Sequence, residues 1–163
     1  MNKPNGNIIK INLDGYLADF IMSMLGANRQ PVPVSKKNFF GSLIYRLIDK
    51  VPEDCRFSSP ILPNKRILEL EVSSLGGRDQ ERKRYFANYY FPLSKQREFE
   101  STVRDVFNEL FFQTIEISRE YTSEQYVNLI ESFCNRYKID FAENFDSLKK
   151  KHYRARQQLY NNC

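Results

Sequence analysis

The sequence has no tryptophan, one histidine, three cysteines and six glycines in 163 residues. Each scarcity narrows what the chain can do. Cys55, Cys134 and Cys163 are odd in number and far apart, which is neither a disulfide framework nor a zinc-ligand spacing. The only adjacent glycines, Gly76 and Gly77, lack the surroundings of a phosphate-cradling loop. No apolar run approaches the ~18 residues of a membrane-spanning helix. The opening Met-Asn-Lys-Pro-Asn-Gly-Asn has no apolar signal-peptide core, so a cytoplasmic protein with no membrane partner is expected. No internal repeat or low-complexity segment is visible.

What the chain does have is charge concentrated near its end. It carries 25 Lys and Arg against 20 Asp and Glu. Residues 1–148 hold 20 of each, and residues 149–163 add five basic residues and no acidic one. A basic end of this kind points to a polyanionic partner. On a helix, Phe141, Phe145, Leu148, His152, Ala155 and Leu159 recur at 4-3-4-3-4 spacing and form one apolar stripe. Asp146, Lys150, Tyr153, Arg154 and Gln157 fall opposite, with Lys149 and Arg156 on one edge and Lys151 on the other. Asn144 or Asp146 is the expected N-cap, because a short acceptor side chain satisfies free backbone N–H groups.

The remaining segments alternate between strand and helix periodicities. Residues 8–13 place Ile9, Ile11 and Leu13 on one face and read as a short strand. Asp14 caps an expected helix to about Leu25, with Leu17, Phe20, Ile21, Met24 and Leu25 inward and Gly26 as the stop. Residues 30–34 read as extended. Ser35 is the expected cap of a helix over 36–51, ended by Pro52, and 52–65 read as a loop. Residues 66–72 alternate as a half-buried strand with Leu68, Leu70 and Val72 inward. Residues 73–84 read as a flexible basic arm, and 85–91 as strand or aromatic plug. Ser94 caps a long expected helix over 95–116, whose stripe is Phe99, Val103, Val106, Phe107, Leu110, Phe111 and Thr114. A further helix from about 123 to 137 buries Tyr126, Val127, Ile130, Phe133, Cys134 and Tyr137. These elements define an α+β fold, mainly helical with a small β-sheet. A core domain over 1–117 is expected to precede a basic helical unit over 120–163.

Catalytic constellations are sparse. His152 lies on the apolar stripe and reads as a core or interface histidine rather than a general base. Asp14, Asp19, Glu69 and Glu71 fit capping and strand-surface roles, although Glu69 and Glu71 share a strand face. A non-enzymatic protein with no metal, cofactor or small-molecule substrate is expected.

Helix 123–137, the 138–143 connection and the basic helix together resemble a helix-turn-helix, whose second helix enters the major groove. The connection is longer than that of the family and has no glycine. Strand 8–13 and the two helices after it resemble ribbon-helix-helix repressors. That likeness implies base contacts from Lys10 and Asn12, with Ile8 beside them. Ile11-Asn-Leu-Asp-Gly-Tyr-Leu17 and Leu148-Lys-Lys-Lys-His-Tyr-Arg-Ala-Arg156 are similar to small basic proteins of Bacteroidetes phages and mobile elements. The expectation is a DNA-binding protein, a transcriptional regulator or mobile-element accessory factor, acting as a homo-oligomer on double-stranded DNA. Lys149, Lys151 and Arg156 are expected to hold phosphates, while Lys150, Tyr153, Arg154 and Gln157 approach base edges. Five phosphate contacts give a log–log salt slope of roughly −4 to −5. Arg78, Arg82, Lys83 and Arg84 form a secondary candidate, because basic residues beside aromatics suit a single strand. The alternative is a structural or adaptor protein whose basic end docks on an acidic protein.

Overall fold

Alternation in two seven-residue segments sets the sheet. In the computed structural model, which describes residues 7–51, 62–72 and 89–161, β1 (Asn7–Leu13) pairs antiparallel with β4 (Arg66–Val72). Their register sets Ile9 opposite Leu70 and Ile11 opposite Leu68, all buried, and puts Lys10 opposite Glu69 on the other face. β2 (Val32–Val34) joins the far edge of β4 in parallel, giving the order β1-β4-β2. Two-residue strands β3 (Asp49–Lys50) and β5 (Tyr89–Tyr90) make a second, antiparallel pair. The helices are α1 (Gly15–Met24), α2 (Phe39–Leu47), α3 (Leu93–Tyr121), α4 (Tyr126–Tyr137) and α5 (Phe141–Asn161). The fold class is therefore α+β, as the periodicities imply. Among the described residues, no helix is long and apolar enough to cross a membrane.

The chain forms two compact units, Met1–Ser101 and Thr102–Cys163. The division falls inside α3, ahead of the 117/120 boundary drawn from the sequence. The cause is the long helix itself, whose later turns contribute their rings to a core shared with α4 and α5.

In the first unit, β1, β2 and β4 bury their apolar faces together with Leu17, Ala18, Phe20 and Ile21 of α1. Met24 stays exposed, because α1 ends there and Gly26, at φ 71°, turns the chain away. Asp14 occupies the N-cap position of α1 without capping it. Its carboxylate instead accepts from Lys65 Nζ at 2.6 Å, and Glu100 accepts from the same ammonium at 2.6 Å. α2 starts later than the Ser35 expectation. Asn38 is the cap, its Oδ1 accepting from Gly41 N–H at 2.6 Å, while Ser35 Oγ accepts from Lys37 N–H in a local turn. Gly41 has no substitute here, since a Cβ would stand 1.9 Å from the Ser35 carbonyl oxygen. α2 also ends before Pro52, because Ile48 turns extended and the chain enters β3. Asn12 and Gln96 are buried and hydrogen-bonded to each other at 3.3 Å. Asn12 Oδ1 accepts from Leu62 N–H, and Gln96 Nε2 donates to the Phe91 carbonyl.

The second unit packs α4, α5 and the later part of α3. Val103, Phe107, Phe111 and Ile115 form a buried row at four-residue spacing on α3. Phe133 of α4 meets both Phe107 and Phe111 edge to face, with centroids 5.7 and 5.0 Å away. Each such fully buried ring contributes about 1.5–3 kcal/mol of transfer free energy. α4 buries Leu129, in line with Phe133 and Tyr137 at four-residue spacing, rather than the expected Val127, which stays exposed, and Tyr126 is half-buried. Cys134 lies in this core, where burial first, and then Asp140 and Glu131, push its thiol up to about 11. α3 also runs five residues beyond the expected end at 116, and Ser94 is inside it rather than capping it.

Candidate functional site

The turn between α4 and α5 is three residues, Lys138–Asp140, and is tighter than the 138–143 connection expected from sequence. Lys138 adopts the left-handed conformation, φ 57°, that glycine often supplies at a helix end. Its N–H donates to the Asn135 carbonyl, and Ile139 N–H donates to the Cys134 carbonyl at 2.9 Å. Ile139 is buried, which anchors the turn. Asp140 then starts α5, its Oδ1 accepting from Glu143 N–H at 2.8 Å. The cap is thus Asp140, not Asn144 or Asp146, because Phe141 is already helical.

The faces of α5 separate the candidate residues. Leu148 and His152 are buried. Lys149, Lys150, Tyr153, Arg154 and Gln157 are exposed, Tyr153 by 63%. Gln157 Nε2 donates to the Tyr153 hydroxyl at 2.9 Å. Lys149 Nζ lies 5.9 Å from the Phe145 ring centroid. Among the described residues, no carboxylate comes within ion-pair distance of Lys149, Lys150 or Arg154. Lys151 is drawn inward instead. It donates to Asn108 Oδ1 at 3.2 Å and lies 5.6 Å from the Phe107 centroid. The side chain of Leu159 lies outside the described residues.

Glu116 of α3 gathers three groups. His152 Nε2 stands 2.9 Å from its Oε1, although without hydrogen-bond alignment. Arg119 Nη1 donates to the same oxygen at 3.2 Å, and Arg156 Nε lies 3.7 Å away. The His152 ring packs against Phe111, Phe112 and Tyr126. Burial lowers its pKa, and Arg119 and Arg156 lower it further, against the opposing pull of Glu116. His152 is therefore neutral at pH 7. Burial also raises the Tyr126 hydroxyl pKa, aided by Glu116 and opposed by Arg119 and Arg156.

Beside this cluster opens a pocket of about 470 Å³. Arg119, Lys149, Lys150 and Arg156 bring positive charge to it, and Asp146 is the carboxylate in its lining. Tyr126, His152 and Tyr153 supply rings. Four of the seven expected contact residues therefore meet at one cavity, while Lys151, Arg154 and Gln157 do not line it. Glu116, Arg119 and Tyr126 were absent from the candidates named by sequence. Nothing local marks them, since only folding brings the end of α3 and the start of α4 against α5. Asp146, expected from sequence as a possible N-cap, instead lines this pocket.

Charge counted by unit differs from charge counted along the tail. Residues 102–163 hold nine basic and nine acidic residues, so the second unit is neutral but polarised. Any attraction it exerts is local, within the ~8 Å reach of exposed charges at physiological salt.

The ribbon-helix-helix likeness fails on geometry. Lys10 pairs with Glu69 at 3.0 Å, and Asn12 is 3% exposed. β1 is paired within its own chain to β4, with Asn12 buried and the exposed Lys10 side chain held by Glu69. The secondary candidates Arg78, Arg82, Lys83 and Arg84 lie outside the described residues. The chain matches no protein-family model, no curated protein and no solved structure.

Proposed function

We propose that the protein binds double-stranded DNA through the outer side of α5, as a transcriptional regulator or mobile-element accessory factor of the cytoplasm. The observation that carries this reading is the exposed set Lys150, Tyr153, Arg154 and Gln157, which has amide, phenol and cationic donors and, among the described residues, no carboxylate partner for its cations. Such groups read base edges, while Lys149 and Arg156 on the flank suit phosphates. The three-residue turn between α4 and α5 supports a helix-turn-helix mode of docking. A single module of this kind binds weakly, so a homo-oligomer is part of the proposal. Ile117, Tyr121 and Val127, exposed by 56%, 81% and 42%, supply apolar surface for such assembly. The same residues favour the second reading, an adaptor that docks on a protein.

Fluorescence anisotropy with random duplex DNA at several salt concentrations tests the proposal. Deleting α5 would remove Leu148 and His152 from the core, so substitutions are the better perturbation. With Lys151 engaged by Asn108, Lys149 and Arg156 are the phosphate contacts and the expected log–log slope is roughly −2. K149A/R156A, folded by circular dichroism, should make it shallower by about two. A slope near zero for the folded wild-type chain excludes this mechanism and leaves the adaptor reading in its place.

A further inference from the structure

We propose that the pocket beside α5 is a site for a 5′-phosphorylated nucleoside, a small ligand beyond the duplex-binding role given to the outer helix face. Arg119, Lys149, Lys150 and Arg156 line the cavity, and among the described residues of its lining Asp146 is the one carboxylate. The nearby Glu116 is already shared by Arg119, His152 and Arg156. Four cations against these two carboxylates leave an excess that matches the dianion of a phosphate monoester. Guanidinium forks suit phosphate oxygens because their N–H donors lie in a plane.

Size and rings specify the rest of the ligand. A volume of about 470 Å³ is far more than a bare phosphate fills, and lies within the ~300–1,000 Å³ of small-molecule sites. Tyr126 and Tyr153 border the same space, Tyr153 largely exposed and Tyr126 held against His152 at 5.2 Å between centroids. Rings at the rim of a cationic cavity favour a planar base stacked on a tyrosine with its phosphate toward the guanidiniums. Neutral His152 adds a packed wall without adding charge.

Two sources can present this chemistry, a free nucleotide or the 5′ end of a strand. Isothermal titration of the full chain with AMP, adenosine, inorganic phosphate and O-phosphotyrosine tests the class. A 5′-phosphorylated single-stranded octanucleotide and its 5′-hydroxyl counterpart test the source. AMP is expected to bind at least about tenfold more tightly than adenosine, phosphate or phosphotyrosine, because each control lacks either the base or the phosphate. R119A should weaken AMP by about tenfold or more, with partial rescue by R119K, and both variants should unfold at the wild-type temperature to within a few degrees. Arg154 is outside the cavity lining, so R154A should leave AMP affinity unchanged while weakening duplex DNA. The two readings therefore fail separately: R119A reports the pocket and R154A the outer face. Binding of AMP, or of the 5′-phosphorylated strand but not the 5′-hydroxyl strand, sustains the site and names its source. The proposal is overturned if AMP and both strands bind no better than inorganic phosphate, if phosphotyrosine binds as well as AMP, or if folded R119A binds as wild type.

Discussion

The two units place their unpaired cations differently. In the first, Lys10 is tied to Glu69, Lys65 to Asp14 and Glu100, Arg66 to Asp19 and Lys95 to Asp49, and the exposed cations Arg29, Lys36, Lys37, Arg46, Lys50 and Arg97 are scattered over loops and separate elements. In the second, Lys149, Lys150 and Arg154 stand on an exposed helix face without such partners among the described residues. Composition does not reveal this difference, since the excess basic charge belongs to the first unit when the count follows the structure. A charge is available for recognition when no local carboxylate competes for it. What singles out the neutral unit is that its available cations gather on one helix, α5, where they can act together.

The sharpest way to break the comparison is to unfold one unit and watch the other. Phe111 is 1% exposed and touches Phe107, Phe133 and His152. F111A should cost about 3–5 kcal/mol. Hydrogen exchange read residue by residue should show the loss of protection in 102–161. Equal loss in β1 and β4 would show that the units unfold together.

The corresponding break in the first unit is G41A, which drives a Cβ against the Ser35 carbonyl. Backbone must move, and overpacking of this kind costs about 1–3 kcal/mol or more by urea denaturation. An unchanged midpoint would show that the turn before α2 relaxes freely.

The contrast in charge use has its own test. Burial works against the Lys65 ammonium, but hydrogen bonds and attraction from Asp14 and Glu100 outweigh it and raise its pKa. A raised lysine pKa stabilises the fold below the unfolded value of 10.5, and that contribution is lost as pH rises through the folded value. At pH 7 it is fully present. K65M should cost about 1 kcal/mol, a modest figure because the group is partly solvated. K150M should stay within about 0.5 kcal/mol of wild type. If both substitutions cost the same, the division into structural and available charge is wrong.

The smallest expected effect belongs to His152. Its folded pKa is lowered from 6.5, so the unfolded chain takes up a proton first as pH falls. The contribution of neutral His152 is full above pH 6.5, declines below it, and stops declining once the folded state also protonates. Glu116, Arg119, Arg156 and Tyr126 face the ring and share in setting that point. Urea midpoints at pH 7.5 and 5.5 should therefore separate for wild type and draw together in H152Q. An equal separation in H152Q assigns the pH dependence to other groups.

Much of the fold was legible because period and position agreed. The alternation of Leu68, Leu70 and Val72, and the glycine after α1, required no knowledge of partners. Helix limits were harder to read. Ser35 and Asn38 both suit capping, and only the close approach of Gly41 to Ser35 decides between them. Lys138 shows the reverse problem, a lysine held at a conformation that signals glycine, which made a three-residue turn look longer.

Periodicity alone settled which faces of the longer strands and helices are apolar, and that Lys150 and Arg154 of α5 lie opposite the stripe of Leu148 and His152. Those properties are local, because side-chain direction repeats with the backbone period. Tertiary structure alone decided which cations have partners, that Lys151 turns inward, and that Arg119 and Tyr126 meet Lys149 and Arg156 around one pocket. These residues lie far apart along the chain, and only the packing of α3, α4 and α5 about Phe111, Phe133 and His152 brings them within reach.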